Sequence, residues 1–236
     1  MPTVAGPLPM IDVHYARSPN GMKLPLFLEE LAEQGLPLEH RLIPVRLSAG
    51  EQFHPEFLAI SPNNKIPAIV DHAPLGGGAP LALFESAAIL QYLAEKSGRL
   101  LAFDARTRYQ TLQWLTWQVA GLGPMAGQSG WFRKHAKQRD DYALDRYTRE
   151  THRLYGVLDR HLAGRDFIAG DALSIADIAI WPWIVSHAGH GMSLEDFPDI
   201  ARWFDAIGAR PATQRVFAGY EDPYAHPKFD LQEALA

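Results

Sequence analysis

Up to about residue 98 the sequence alternates short strand-like apolar runs with amphipathic segments, and beyond about residue 104 only helical periodicity remains. Mixed α/β elements followed by a run of helices predict two packed units rather than one alternating architecture. The expected organisation is an α/β domain over residues 11–98 and an all-α domain over residues 105–217, joined near "SGRLLAFDAR". Residues 1–10 and 218–236 are read as terminal extensions, the second rich in charge and carrying two Pro after Tyr220.

Within the first unit the order is βαβ, a connection, then ββα. Predicted strands cover 11–15, 40–47, 66–72 and 81–85. A helix is expected over 21–35, ending at Gly35, with Pro25 near its first turn where a missing N–H costs little. A short helical turn is expected over 55–61 and a helix over 86–98, with apolar residues at 89, 90 and 93. The pieces are too short for a doubly wound dinucleotide fold. The helices of the second unit are expected at about 105–120, 140–163, 174–188 and 198–208.

Composition removes several function classes. The chain has 236 residues, 47% hydrophobic and 21% charged, which is ordinary for a soluble globular protein. Its net charge of −5 gives no electrostatic footprint for nucleic acid. Arg133, Lys134, Lys137 and Arg139 are soon answered by Asp140 and Asp141. The most apolar stretch, "IADIAIWPWIV", is too short for a membrane span and contains Asp177 and Pro182. Met1 to Met10 lacks signal-peptide character, so a cytoplasmic protein is expected. "GGG" at 76–78 lacks the Lys of a phosphate loop and reads as a hairpin connection. His187 and His190 have no third ligand at metal spacing, so no metal is expected.

Zero Cys excludes disulfides and a cysteine nucleophile. That absence matters at "YARSPNGMK", where a strand runs through a tight polar turn into a helix, because in thiol-redox proteins such a turn usually carries cysteine. Ser18 and Asn20 have two readings here: helix caps, or donors that, with the helix N-terminus, face an anion such as a thiolate. In "SPNNKIPAIVDH", Pro67 opens a strand, and a kink there would leave Ile66 free to pair with a bound peptide backbone. In "LFESAAI", Ser86 is either a helix cap or, with Glu85, a grip on an α-amino-acid end. Ser174 and Asp177, three residues apart before an apolar run, form a capping-box pattern and are assigned to folding.

"NKIPAI" and "FESAAILQYLAEK" resemble the thioredoxin-like domain of glutathione transferases, and "FIAGDALSIADIAIWPW" is similar to that family's helical-domain motif. The resemblance covers about residues 11–217. More narrowly, "SPNGMK", "GEQFHPEFLAISPNNKIPAIVDH" and "LQWLTWQVAGLGPM" resemble the bacterial nu-class group, whose members reduce disulfides with glutathione. The usual group turn has Thr where this chain has Ser18, which keeps the hydroxyl.

The resemblance implies Ser18 and Asn20 at the glutathione sulfur and Gln52 and Lys65 at its peptide portion. It also implies Ile66 on the cysteinyl backbone and Glu85 and Ser86 at the γ-glutamyl end. Arg146 matches a residue that reaches ligand from the partner subunit of a homodimer; spacing alone would make it a surface charge. Many family members activate the thiol with a Tyr near the end of the first strand. Here the polar turn follows Tyr15, so Tyr15 is expected to pack in the core. The implied activity is glutathione-dependent reduction of small disulfides. A conventional conjugating transferase and a non-catalytic glutathione-binding module stay open as alternatives.

Overall fold

The computed structural model describes residues 10–218. The extensions inferred from the sequence, including the tail after Tyr220, otherwise lie outside the described residues. The first half consists of β1 (Ile11–Tyr15), α1 (Lys23–Glu33), β2 (His40–Pro44), a short α2 (Pro55–Leu58), β3 (Ala68–Asp71), β4 (Leu81–Phe84) and α3 (Ser86–Ser97). The four-stranded sheet has the order β2-β1-β3-β4. β1 is parallel to β2 because α1 returns the chain between them, and antiparallel to β3. β3 and β4 form an antiparallel hairpin whose loop contains Gly76, Gly77 and Gly78, all at positive φ.

The second half contains α4 (Ala105–Trp117), α5 (Gly123–Lys134), α6 (Asp141–Leu162), α7 (Ile175–Val185), α8 (Pro198–Gly208) and α9 (Pro211–Phe217). A π-turn, Gln118–Leu122, joins α4 to α5. None of the described helices is long and apolar enough to cross a membrane.

One apolar cluster runs through both halves. Ile11 and Val13 of β1 and Ile69 of β3 meet Leu24, Phe27 and Leu31 of α1 and Ile89, Leu90 and Leu93 of α3. The same cluster continues into Leu115, Leu154, Leu158, Ile178, Ile180 and Trp203. Each such side chain contributes about 1.5–3 kcal/mol on burial, so the halves share a core rather than touching at a polar seam. α7 is its axis, with every residue from Ile175 to Ile184 buried. Glu30 of α1, almost wholly buried, takes a two-pronged ion pair from Arg210 at 2.6 Å, which fastens α1 to the entry of α9.

Asp177 is fully buried near the start of α7 and accepts from four donors. These are Ile168 N (2.9 Å), Ser174 N (3.0 Å), Ser174 Oγ (2.9 Å) and Trp203 Nε1 (3.0 Å). The Ser174 hydroxyl in turn accepts from Ala176 N, completing a capping box. The pair ties the α6–α7 connection, α7 and α8 to one carboxyl group.

Several local expectations differ from the structure. α1 begins at Lys23, with Met22 at the cap and a turn before it, so neither Ser18 nor Asn20 caps the helix. Ser86 is the first residue inside α3, and Glu85 holds the cap position at φ 71°. The helix expected at 105–120 gives way at Gln118 to the π-turn, and α5, which carries Gly123, Pro124, Gly127 and Gly130, follows it where no helix is expected from the sequence. Tyr15 is half-buried rather than in the core; it borders a small groove with Met22, Pro25 and Arg215 beside α1 and α9.

Candidate functional site

Two adjoining cavities open where the sheet half meets the helical half. The smaller, about 180 Å³, is bounded by Asn20, Lys65, Ile66, Pro67, Glu85 and Ser86. The larger, about 530 Å³, lies between the starts of α1 and α3 on one side and Gln118, Gly123, Trp131, His135 and Trp183 on the other. Asn20, Glu85 and Ser86 border both. The walls therefore come from residues far apart in sequence, brought together by packing α7 and the π-turn against α1 and α3.

The Ile66–Pro67 peptide is cis. The β3 ladder starts at Ala68, so Ile66 sits at the cavity edge outside the sheet. The Ser61 hydroxyl donates to the Lys65 carbonyl at 2.8 Å and braces the segment from below. Glu85, at positive φ and exposed, stands between β4 and α3. A non-glycine residue in that region is strained, and such strain often marks sites where a side chain must be aimed.

The turn after β1 is closed by its own hydrogen bonds. Gly21 N donates to Ser18 Oγ at 3.1 Å, Met22 N to the Ser18 carbonyl at 3.0 Å and Lys23 N to the Asn20 carbonyl at 3.4 Å. These N–H groups are thus committed inside the turn and are not the free donors that the sequence suggested for an anion. The Ser18 hydroxyl, accepting from Gly21, keeps its own proton for an outside acceptor. Asn20 Oδ1 accepts from Trp183 Nε1 at 3.0 Å.

Below the cavities lies Lys23, fully buried. Its Nζ donates to Ser86 Oγ at 3.1 Å and to Gln118 Oε1 at 2.5 Å. Burial pulls the amine down to about 7, against an upward pull from the Glu85 carboxylate. The sequence carried a signal for this residue: Lys23 lies one turn before Phe27, on the stripe that buries Phe27 and Leu31. Gln118 likewise follows Thr111, Trp114 and Leu115 on the buried face of α4. Trp183, inside a continuous apolar run, had no signal that set it apart from core.

Of the residues singled out from the sequence, Asn20, Lys65, Ile66, Pro67, Glu85 and Ser86 converge on the smaller cavity. Ser18 and Gln52 border neither cavity. Gln52 is buried on a short 3₁₀ turn, Glu51–Phe53. Arg146 lies on the exposed face of α6, in a separate groove with Met125, Tyr147 and Arg153. Ser174 and Asp177 belong to the helix cap already described. Among the described residues no group of three His, Cys, Asp or Glu is placed to hold a metal ion.

Residues 17–96 match the family described as glutathione S-transferase, N-terminal domain, and residues 122–211 match glutathione S-transferase, C-terminal domain. The chain is 54% identical over 204 residues to the disulfide-bond oxidoreductase YfcG of Escherichia coli, covering 86% of this chain and 93% of that one. It is 37% identical over 213 residues to the E. coli disulfide-bond oxidoreductase YghU, covering 87% and 73%. A glutathione transferase family member from Pseudomonas fluorescens, solved with two glutathione bound, superposes with a TM-score of 0.83 at 45% identity, covering 90% of this chain and 94% of that one. A glutathione transferase from Pseudomonas putida, with one glutathione disulfide bound per subunit, superposes at 0.80 with 43% identity, covering 90% and 93%. With both halves matched and the same fold, the chain belongs to the glutathione S-transferase family.

Proposed function

We propose that the protein is a glutathione-dependent disulfide-bond oxidoreductase. The observation that carries this is the junction of the two cavities: Asn20, Glu85 and Ser86 border both, in a chain that has no cysteine. A reactive sulfur must then arrive on the ligand, and the second cavity gives a reaction partner direct access to it. The E. coli relatives are named disulfide-bond oxidoreductases, and the P. putida structure carries glutathione disulfide, the oxidised product of such a reaction.

Glutathione lies in the smaller cavity, over the domain of residues 11–98. Its cysteinyl backbone pairs with Ile66, its γ-glutamyl carboxylate accepts from Ser86, and its ammonium faces Glu85. Lys65 at the cavity edge serves the glycine end or peptide portion, with Gln52 reaching it from outside the cavity; the sulfur lies by Asn20, and the Ser18 hydroxyl, also outside the cavity lining, is its second donor. A free thiol is only a few per cent ionised at neutral pH. Each unit by which the site lowers its pKa needs about 1.4 kcal/mol of preferential thiolate stabilisation. The Asn20 amide, the Ser18 hydroxyl and the buried Lys23 charge supply that preference.

The thiolate attacks one sulfur of the substrate disulfide. A glutathione–substrate disulfide forms as the substrate S–S bond breaks, and the departing thiolate takes a proton. A second glutathione thiolate then attacks the glutathione sulfur of that mixed disulfide, releasing the second substrate thiol and glutathione disulfide. Two glutathiones are oxidised and one disulfide reduced, with no protein sulfur involved.

The protein acts as a cytoplasmic homodimer, and Arg146 reaches the partner's ligand. Two facts support that role: Arg146 is exposed, and it makes no hydrogen bond or ion pair among the described residues while its neighbours Arg149 and Arg153 pair with Asp145 and Glu150. The test of function is steady-state turnover of a small disulfide against a chloronitrobenzene. Faster disulfide reduction with two glutathiones consumed is expected. Conjugation of the chloronitrobenzene without disulfide turnover would make the protein a conventional transferase, and inactivity with both despite glutathione binding would make it a binding module.

A further inference from the structure

Trp183 lies on α7 in the helical half, and its indole nitrogen stands 3.0 Å from Oδ1 of Asn20 in the first turn of the sheet half. An indole N–H can only donate, so the amide atom facing it must be the oxygen. The Asn20 NH₂ group is thereby turned away from Trp183, and Asn20 borders both cavities. Among the described residues that NH₂ group has no acceptor. Without the indole donor, the amide could rotate by half a turn and present its oxygen to the cavity instead. An oxygen there would repel a thiolate, whereas the NH₂ group attracts it.

The ring is held in place by a slot in α5. A methyl group on Gly123 would lie 3.2 Å from Trp183 Cζ2, and one on Gly127 would lie 3.5 Å from Cη2. The two glycines are one helical turn apart, so they present one open face to the indole. Trp183 is buried, and its ring stands 5.8 Å from that of His190, which itself lies against α5 at Gly130.

We infer that Trp183 is a positioning residue: its indole N–H fixes the Asn20 amide with the NH₂ group toward the ligand sulfur, so that the helical half sets the thiolate preference of a donor carried by the sheet half. The inference rests on the proposed role of Asn20 at the glutathione sulfur. It also gives the indole at 183 a role beyond filling the space left by the two glycines. Phenylalanine would fill much of the same space without the N–H.

The test measures the thiolate absorbance of protein-bound glutathione against pH in four proteins: wild type, Asn20→Ala, Trp183→Phe and the double variant. Lys23, Lys65, Glu85 and His135 around the cavities and His190 beside the Trp183 ring, the titratable groups that face the site, are common to all four. Trp183→Phe is expected to raise the bound thiol pKa by about one unit, a tenfold smaller thiolate fraction at a pH below it. Affinity for the protonated thiol form should stay within about twofold, because the contacts at Ile66, Glu85 and Ser86 are untouched. In the Asn20→Ala background, Trp183→Phe should add nothing, because the group it positions is gone. An unchanged thiol pKa in Trp183→Phe, beside a raised one in Asn20→Ala, would overturn the inference. So would an equal rise in both backgrounds, since that would mark a structural effect independent of Asn20. An unshifted Asn20→Ala overturns the donor role itself and is seen before Trp183 is altered. Should Trp183→Phe fail to fold, replacement by 3-benzothienylalanine, which keeps the bicyclic shape without the N–H, is read in the same way.

Discussion

Lys23 Nζ lies 2.5 Å from Oε1 of Gln118, a hydrogen bond between the first turn of α1 and the residue at which α4 gives way to a π-turn. Both residues are fully buried. A π-turn adds a residue to the helical circuit, and such insertions often aim a side chain at a site. Here it places the Gln118 amide against the amine, in the wall of the larger cavity.

The buried amine makes stability depend on pH. The Lys23 amine is held at about 7 in the folded protein against an ordinary value of 10.5. Below about 7 it is charged in both states and the folded protein bears the full desolvation cost. Between about 7 and 10.5 the unfolded chain binds the extra proton, so this group's effect is stability rising with pH. Replacement by Met removes the titration. Thermal melts from pH 6 to pH 10 should therefore show a shallower rise in Lys23→Met than in wild type; parallel curves would refute the assignment.

Asn20→Ala should lower disulfide turnover roughly tenfold or more, about 1.4 kcal/mol or greater in the barrier, with a smaller change in glutathione affinity. Ser18→Ala should act in the same direction and less, because Ser18 borders neither cavity and its oxygen already accepts from Gly21. Steady-state kinetics with a small disulfide measures both. A silent Asn20→Ala would remove the proposed thiolate donor.

Tyr15→Phe should leave turnover within about twofold, a barrier change below about 0.5 kcal/mol. The Tyr15 ring borders a groove beside α1 and α9, apart from both cavities. If this variant abolished activity, the thiol would be activated from the first strand instead, and a tyrosine-type conjugating enzyme would replace the present reading.

Asp177→Ala strips four donors of their acceptor, two of them backbone N–H groups, in a fully buried place. Each buried group left unsatisfied costs about 1–3 kcal/mol, so a loss of roughly 3 kcal/mol or more is expected, read as a large fall in melting temperature. Glutathione affinity of the folded fraction should stay near normal. Collapsed affinity at unchanged stability would show that the acid belongs to the site rather than to the cap.

Arg146→Ala should weaken glutathione binding several-fold while leaving the melting temperature within a degree or two, because among the described residues the exposed side chain makes no hydrogen bond or ion pair and only a long-range attraction to Glu150 is lost. Calorimetric titration and a solution mass at micromolar concentration check it together. A monomeric wild type, or an unchanged affinity in the variant, would confine Arg146 to an ordinary surface role.

The features legible in the sequence are those written in neighbouring residues. The change from short alternating runs to long helical periods marks the two halves. The Ser174–Asp177 spacing marks a capping box, and the Ile66-Pro67 and Glu85-Ser86 segments carry the family resemblance. Local hydrogen bonding and side-chain periodicity extend over only a few residues, so these signals survive without the fold. The same locality hides α5, whose four positions Gly123, Pro124, Gly127 and Gly130 are residue types that weaken a helical pattern. Packing against α6 outweighs the helix cost of a glycine, about 1 kcal/mol, and at Gly123 and Gly127 the missing side chains are what admits Trp183. At Ser18 and Ser86 the same locality leaves a helix cap open as one of two readings, and the caps fall on Met22 and Glu85 instead. Only the tertiary structure decided that Lys23 meets Gln118 across 95 residues and that Trp183 meets Asn20 across 163. Lys23, Gln118 and Trp183 are each an ordinary residue on a buried helix face, and Asn20 is an ordinary polar residue in a turn. Its chemical meaning comes from a close approach that packing the whole core enforces, and no short stretch of the sequence contains both halves of that approach.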